Sequence, residues 1–252
     1  SAGRHLPSSM TYLQFHLVFL GPPLLAMGAL ASRRWRRGAA ERDPTWAFWL
    51  LPLIAFVYTT PWDNYLVANA VWTYPPGAVL ATIGYVPVEE YLFFLLQPIL
   101  TGLWYRLVRS TRTERTAPVG PSAAARWVGA GGFAALTLVG AGLVAAGGRG
   151  LYLGLILAWA CPVLAGMWAL SGRRFWRHRR LLLLAVAPPT VYLWIADRVA
   201  IGLGIWDITD ATRTGAELLG LPVEEALFFL LTNLLVVQGL LMFAEEPAAA
   251  PG

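Results

Sequence analysis

Two stretches of this 252-residue chain place paired glutamates just after a proline and just before two phenylalanines: Pro87-Val88-Glu89-Glu90-Tyr91-Leu92-Phe93-Phe94 and Pro222-Val223-Glu224-Glu225-Ala226-Leu227-Phe228-Phe229. Carboxyls set in pairs suit general acid–base chemistry. Burial favours the neutral form and a helix N-terminus the ionised form, so two carboxyls in unlike surroundings divide into a proton donor and an acceptor near neutral pH. The plainer reading is capping, since acids in a first helical turn offset the positive end of the dipole and accept from free N–H groups. The surrounding residues weigh against capping alone. Each pair leads into a long apolar run, where ionisable groups are expensive and usually functional. Adjacent helical residues point about 100° apart, so in each pair one carboxyl can face inward while its neighbour caps or meets water.

Aromatics gather at the same level: Trp62, Tyr65, Trp72, Tyr74, Tyr91, Phe93 and Phe94 near the first pair, Trp194, Trp206, Phe228 and Phe229 near the second. Some of these form an interfacial belt. The faces of Phe93, Phe94, Phe228 and Phe229, with Trp72 and Trp206, could stabilise a carbocation, and core packing accounts for them equally well. Asp63-Asn64 and Asp197-Arg198 are expected to end helices at matching heights, where they either solvate a helix end or orient the glutamates. Deeper in the runs, Gln97, Thr232 and Asn233 are expected to bridge helices. No metal site is expected: Cys161 is the single cysteine, and His5, His16 and His178 are scattered. No Gly-rich phosphate loop or dinucleotide fingerprint follows a strand-like segment, and no cofactor is expected.

These residues need a scaffold, and the composition names its kind. The chain is 57% hydrophobic and 13% charged with a mean hydropathy of +0.57, which excludes a soluble enzyme, where about a quarter of residues are charged. Seven membrane helices are expected, at about 10–31, 46–65, 87–107, 124–146, 151–171, 181–198 and 222–244. Ala29-Leu30-Ala31 could pass for a leader-peptide cleavage site, but arginines follow at once and the run has a partner later in the chain, so it is read as a retained span. Arginines cluster at 33, 34, 36, 37 and 42, at 106, 109, 112 and 115, and at 173, 174, 177, 179 and 180. With seven spans these clusters fall on one face, which the positive-inside rule makes cytoplasmic. The N-terminus is then outside and the C-terminus inside a plasma membrane. The charge of +5 suits anionic lipid headgroups rather than nucleic acid.

The two glutamate stretches lie 135 residues apart, while Asp63 matches Asp197, and Trp72 matches Trp206, at an offset of 134. Two three-helix units joined by helix 4 follow, and an odd number of connecting spans gives both units the same orientation, a parallel 3+1+3 repeat. The fold class is thus an all-α polytopic bundle. Its expected parts are a first unit (1–108), a linker with an Ala/Gly/Val-rich helix 4 (109–150), and a second unit with a short disordered tail (151–252).

In this arrangement, and in the Pro-x-Glu-Glu motif opening helices 3 and 7, the chain resembles the membrane-integral lycopene cyclases of bacteria, archaea and fungal bifunctional proteins. The likeness covers about residues 10–244 and is to the fused form of a family that also occurs as two small subunits. The resemblance implies an isomerase that closes the ψ ends of lycopene into β-ionone rings, with Glu89, Glu90, Glu224 and Glu225 as the acid–base set. It further implies a lipophilic carotenoid taken from the bilayer, membrane lipids and other carotenoid-pathway enzymes as partners, and neither metal nor cofactor. Ring closure needs a proton delivered to the terminal double bond and another removed from the new ring, in a pocket that keeps water from trapping the cation. The missing dinucleotide fingerprint separates the chain from flavin-dependent cyclases. An ε/γ-ring or C50 carotenoid cyclase uses the same parts.

The competing reading from another class is a small seven-helix transporter, against which the acids stand at helix starts near one face rather than at the midplane. An intramembrane prenyl-protease would place arginine four positions after the first glutamate, where Phe93 and Phe228 stand here.

Overall fold

The computed structural model describes residues 10–36, 44–111 and 123–244. His5, Arg37, Arg42, Arg112, Arg115, most of the 109–122 linker and the tail after residue 244 lie outside them. Seven helices are seen among the described residues. The first, α1, covers residues 12–36 and joins α-helical Tyr12–Phe15, a π-helical turn His16–Leu20 and α-helical Gly21–Arg36. Thr11 opens it with a capping box: its hydroxyl accepts from the Gln14 N–H at 3.3 Å, and the Gln14 side chain accepts from the Thr11 N–H at 2.9 Å. Then follow α2 (Thr45–Ala68), α3 (Val88–Ser110), α4 (Ala123–Ala146), α5 (Leu151–Arg177), α6 (Arg179–Gly202) and α7 (Val223–Phe243).

Among the described residues six of the seven are long and apolar enough to cross a membrane. The exception is α2, whose Trp, Tyr, Thr, Pro and Asp residues dilute its hydropathy, yet it packs beside α3 and α7. The protein is a multi-pass helical membrane protein. Apolar side chains face outward, Leu25 and Val128 among them, because lipid there replaces water. The α4 helix carries this furthest: its most apolar stretch is 11% buried. It packs closely on α5, against which Gly140 lies so near that a Cβ there would meet the Ala158 backbone nitrogen at 2.6 Å. This is packing through small residues, which lets backbones approach in lipid.

Six two-residue strands, absent from the all-α reading of the sequence, shape one end of the bundle. They are β1 (Trp72–Thr73), β2 (Thr82–Ile83), β3 (Val86–Pro87), β4 (Asp207–Ile208), β5 (Glu217–Leu218) and β6 (Leu221–Pro222). The pairs β2–β3 and β5–β6 are tight hairpins just before α3 and α7. Two residues turn each: Gly84-Tyr85, with Gly84 at φ +65°, and Leu219-Gly220, at φ +54° and +78°. Positive φ at such positions matches the twist of the flanking strands. The proline of each motif therefore finishes a hairpin: Pro87 and Pro222 are extended N-cap residues, and the helices begin one residue later.

The pair β1–β4 is different, because it ties the first half of the chain to the second, with Trp72 opposite Ile208 and Thr73 opposite Asp207. Thr73 and Asp207 lie 134 residues apart, the offset that relates Trp72 to Trp206. The contact thus pairs corresponding positions with one another. The element order α–α–β–β–β–α occurs once before α4 and once after it. Between the halves runs a core that includes Trp72, Phe93, Phe94, Tyr152, Trp159, Leu193, Phe228 and Phe229.

Candidate active site

The N-terminal ends of α1, α3, α5 and α7 and the C-terminal ends of α2 and α6 meet at the end of the bundle that carries the strands. Tyr12 N–H donates to the Ala78 carbonyl at 2.8 Å, and Tyr152 N–H to that of Thr212 at 3.1 Å, so α1 and α5 are moored to the loops there. All four motif glutamates are buried. Their carboxyls divide by direction. Glu89 Oε1 accepts from the Leu80 N–H at 2.8 Å and Glu224 Oε1 from the Thr214 N–H at 2.6 Å, so the first glutamate of each pair fastens the loop ahead of its own helix.

The second glutamates turn inward. Glu90 and Glu225 both line a small cavity of about 20 Å³ whose wall includes Tyr12, Phe15, Trp72, Phe93, Trp206, Phe228 and Phe229. Tyr74 donates its hydroxyl proton to Glu90 Oε1 at 2.9 Å, and the Tyr12 side chain is directed at the same carboxyl. Tyr152 donates to Glu225 Oε1 at 2.6 Å. Tyr74, on the loop outside the spans, is held well above its ordinary phenol value by burial first and by the nearby Glu90 second. It therefore stays a hydrogen-bond donor at neutral pH.

The rings cross between halves. Tyr12 of the first half packs on Trp206 of the second with centroids 4.8 Å apart, and Tyr152 of the second packs edge-on to Trp72 of the first at 5.9 Å. Phe93 and Phe229 meet edge to face at 6.2 Å. Each unit thus completes the wall of the other, and each inward glutamate receives a tyrosine from its own half.

Asp63 and Asp197 were expected to end helices 2 and 6, but the helices run on to Ala68 and Gly202 because Leu66, Val67, Val199 and Ala200 continue their apolar faces. Both aspartates consequently sit about a turn inside, buried. Asp197 Oδ1 accepts from the Trp206 indole N–H at 3.1 Å and lines the cavity with Glu90 and Glu225. Neither oxygen of Asp63 meets a hydrogen-bond donor, although the group lies within electrostatic reach of Glu90. Among the described residues the ion pairs seen join Arg213 to Asp210 and Glu217, away from this cavity.

The neighbours of the aspartates serve the hairpins instead. Asn64 accepts from the Tyr85 N–H at 3.1 Å and donates to the Tyr91 hydroxyl at 3.0 Å, and Arg198 donates to the Leu219 carbonyl at 2.6 Å. Asn64 and Arg198 touch turns rather than glutamates. A Cβ on Gly84 would lie 2.6 Å from Asn64 Oδ1, so the close approach needs glycine. Phe94 does not line the carboxyl cavity, unlike Phe93, Phe228, Phe229, Trp72 and Trp206; it lies along a second, apolar groove. Tyr12 and Tyr152 were missed as site residues, since each lies far in sequence from the motif it serves. Their one sequence signal was position, a tyrosine at the start of the first helix of each unit.

Deeper down, Gln97, Thr101 and Asn233 form a buried cluster in which Asn233 Oδ1 accepts from Gln97 at 2.7 Å and from Thr101 at 2.6 Å, while Asn233 Nδ2 donates to Thr190 at 2.9 Å. Gln97 and Asn233 bridge helices as expected. Thr232 instead returns its hydroxyl to the Phe228 carbonyl of its own helix at 2.9 Å.

The arrangement offers two carboxyls from corresponding positions, aimed across a small aromatic chamber inside a membrane bundle. No group of three or more His, Cys, Asp or Glu among the described residues could hold a metal ion. Comparison with known proteins gives the same direction. The profile described as lycopene cyclase matches residues 9–108 and 150–243. A lycopene beta-cyclase of Halobacterium salinarum is 42% identical over 240 residues, covering 93% of this chain and 96% of that one. Bifunctional lycopene cyclase/phytoene synthases of Gibberella fujikuroi and Phycomyces blakesleeanus are 37% and 35% identical, covering 91% and 90% of this chain but 39% and 38% of theirs. No solved structure matches. With its profile matched through both halves and a relative aligned over nearly its whole length, the chain belongs to the lycopene cyclase family.

Proposed function

We propose that the chain converts the ψ end groups of lycopene into β-ionone rings, with Glu90 and Glu225 exchanging the protons. The observation that carries this reading is the convergence of these two carboxyls, from equivalent motifs, on one cavity whose remaining wall is largely aromatic and apolar. One carboxyl delivers a proton to the terminal double bond of the end group. The resulting tertiary cation is attacked by the neighbouring double bond, closing the ring and moving the positive charge onto a ring carbon. The other carboxyl then removes a proton from the carbon beside it. One proton enters and one leaves, with no change of oxidation level.

The aromatic wall supports both cation positions. Ring faces attract a cation, and Trp72, Trp206, Phe93, Phe228 and Phe229 leave little room for water that would trap it as an alcohol. Tyr74 and Tyr152 orient the carboxyls by donating to one oxygen each. Asp197 lines the same cavity and Asp63 lies within electrostatic reach of Glu90, so both add carboxyls to the cluster. Glu89 and Glu224 keep the loops in register over the site.

The arginine-rich ends of α1, α3 and α5 lie opposite the cavity, and by the positive-inside rule we assign them to the cytoplasmic face. The chemistry then takes place near the outer face of the plasma membrane, with lycopene arriving from the bilayer.

The test is expression in lycopene-accumulating bacteria, with pigments separated by chromatography and identified by absorption. Rings are expected from the unaltered chain. Glu90→Gln and Glu225→Gln, which preserve shape and remove proton transfer, should each lower turnover by at least about a hundredfold while the protein still inserts. Full activity in both variants would overturn the assignment of these two carboxyls.

A further inference from the structure

Beside the carboxyl cavity lies a larger groove, about 250 Å³, that no step above uses. Its lining follows stripes on four helices, with Phe93, Phe94 and Gln97 supplied by α3. On α7 it takes Phe228, Thr232, Leu235, Val236, Gly239, Met242 and Phe243, a spacing of three or four residues that keeps one face in register. From Phe228 to Phe243 that stripe is about 22 Å long at the rise of an α-helix. The opposite sides are Leu51, Ala55 and Tyr58 of α2 and Trp159, Val163 and Met167 of α5.

Phe93 and Phe228 line both the groove and the carboxyl cavity, so the two spaces meet at these rings. A chain whose end group lies between Glu90 and Glu225 continues past them. The groove is also open sideways. Close backbone packing joins α2 to α3 and α5 to α4, whereas α2 and α5 meet through side chains, with Tyr58 donating to the Trp159 carbonyl at 2.9 Å and Trp62 to that of Leu155 at 3.2 Å. Below this bridge Ile54, Val163 and Phe243 are exposed on the outer surface of the bundle, where lipid lies.

We propose that this groove holds the polyene arm of the substrate, loaded from the lipid between α2 and α5, and that its far end decides whether one ring or two are made. The inference rests on the cyclase reading. A molecule with one finished ring must reload with its open end between the glutamates, which puts the ring, bulkier than an open chain, at the other end of the groove. There the width is set by Leu51, Gly239 and Met242. The absent side chain of Gly239 makes the space: a Cβ would stand 2.9 Å from Leu51 Cδ2.

The experiment uses the full chain in lycopene-accumulating bacteria and reads the ratio of bicyclic to monocyclic product. Ala55→Leu and Met242→Trp narrow the groove from two different helices, and Leu51→Ala widens its far end. One added methylene in an apolar pocket changes discrimination by roughly 10- to 200-fold, so each narrowing variant should lower the ratio by about tenfold or more while first rings still form. Leu51→Ala should leave it equal or raise it. An unchanged ratio in both narrowing variants, or loss of first and second rings in equal proportion in inserted protein, would overturn the proposal. Failure of the underlying cyclase reading looks different, because the unaltered chain would then make no ring at all.

Discussion

A carboxyl group has two oxygens, and at this site their partners separate the four motif glutamates into two kinds. Glu89 and Glu224 each spend one oxygen on a loop N–H, at 2.8 and 2.6 Å. A Gln carbonyl can accept the same bond, so Glu89→Gln and Glu224→Gln should keep turnover within about tenfold of the unaltered chain and lower stability by about 1–2 kcal/mol, read by thermal inactivation in membranes or detergent. That contrasts with the loss expected at Glu90 and Glu225. Tyr74 gives a second residue-scale expectation. Its phenol lies well above its unfolded value, so the neutral form contributes its stabilisation in full below about pH 10 and loses it only as pH climbs through the folded value. Tyr74→Phe should therefore cost about 1 kcal/mol of stability at neutral pH, read as a lower midpoint of thermal unfolding in detergent. The motif pairs were legible because residue type and spacing alone carry them. Which member faces inward was left open by the sequence, since it depends on where the hairpin hands the chain to the helix.

At the scale of elements, the bridging cluster of Gln97, Thr101, Thr190 and Asn233 joins α3, α6 and α7 where lipid offers no other partner. Asn233→Leu keeps the volume and strands three polar groups, and should destabilise the bundle by about 1–2 kcal/mol, measurable as a lower midpoint of thermal unfolding in detergent. The sequence announced Gln97 and Asn233 because amides are rare in apolar runs. It did not announce the six short strands: two residues are too few for an alternating pattern, and Gly84 and Gly220 signal turns without saying what they turn between. Nor did it place Asp63 and Asp197 inside their helices, because an acid in an apolar run reads as the end of a span. The second apolar groove was invisible for another reason. Its walls come from four helices spread along the chain, and no local pattern encodes their meeting.

Taken whole, the molecule is two similarly ordered halves clasped through β1–β4 and through aromatic rings that cross between them. The link through α4 adds little to this contact, because α4 packs on α5 and otherwise faces lipid. Residues 1–122 and 123–252, made as separate chains in one cell, should therefore assemble and restore ring formation, whereas either alone should give none. Pigment analysis of the three strains decides it, and failure of the pair to work when both insert would assign α4 a larger part.

The side of the bundle between α2 and α5 has a consequence of another kind. A substrate loaded through it never passes through water, and neither does its product. The resistance to exchange is then a property of the surrounding lipid: how freely acyl chains slide aside, and how much they already order a long stiff molecule parallel to themselves. Turnover should follow membrane fluidity rather than the viscosity of the medium. The lipid in which the protein is embedded thus becomes a determinant of its rate, as much as any side chain in the cavity.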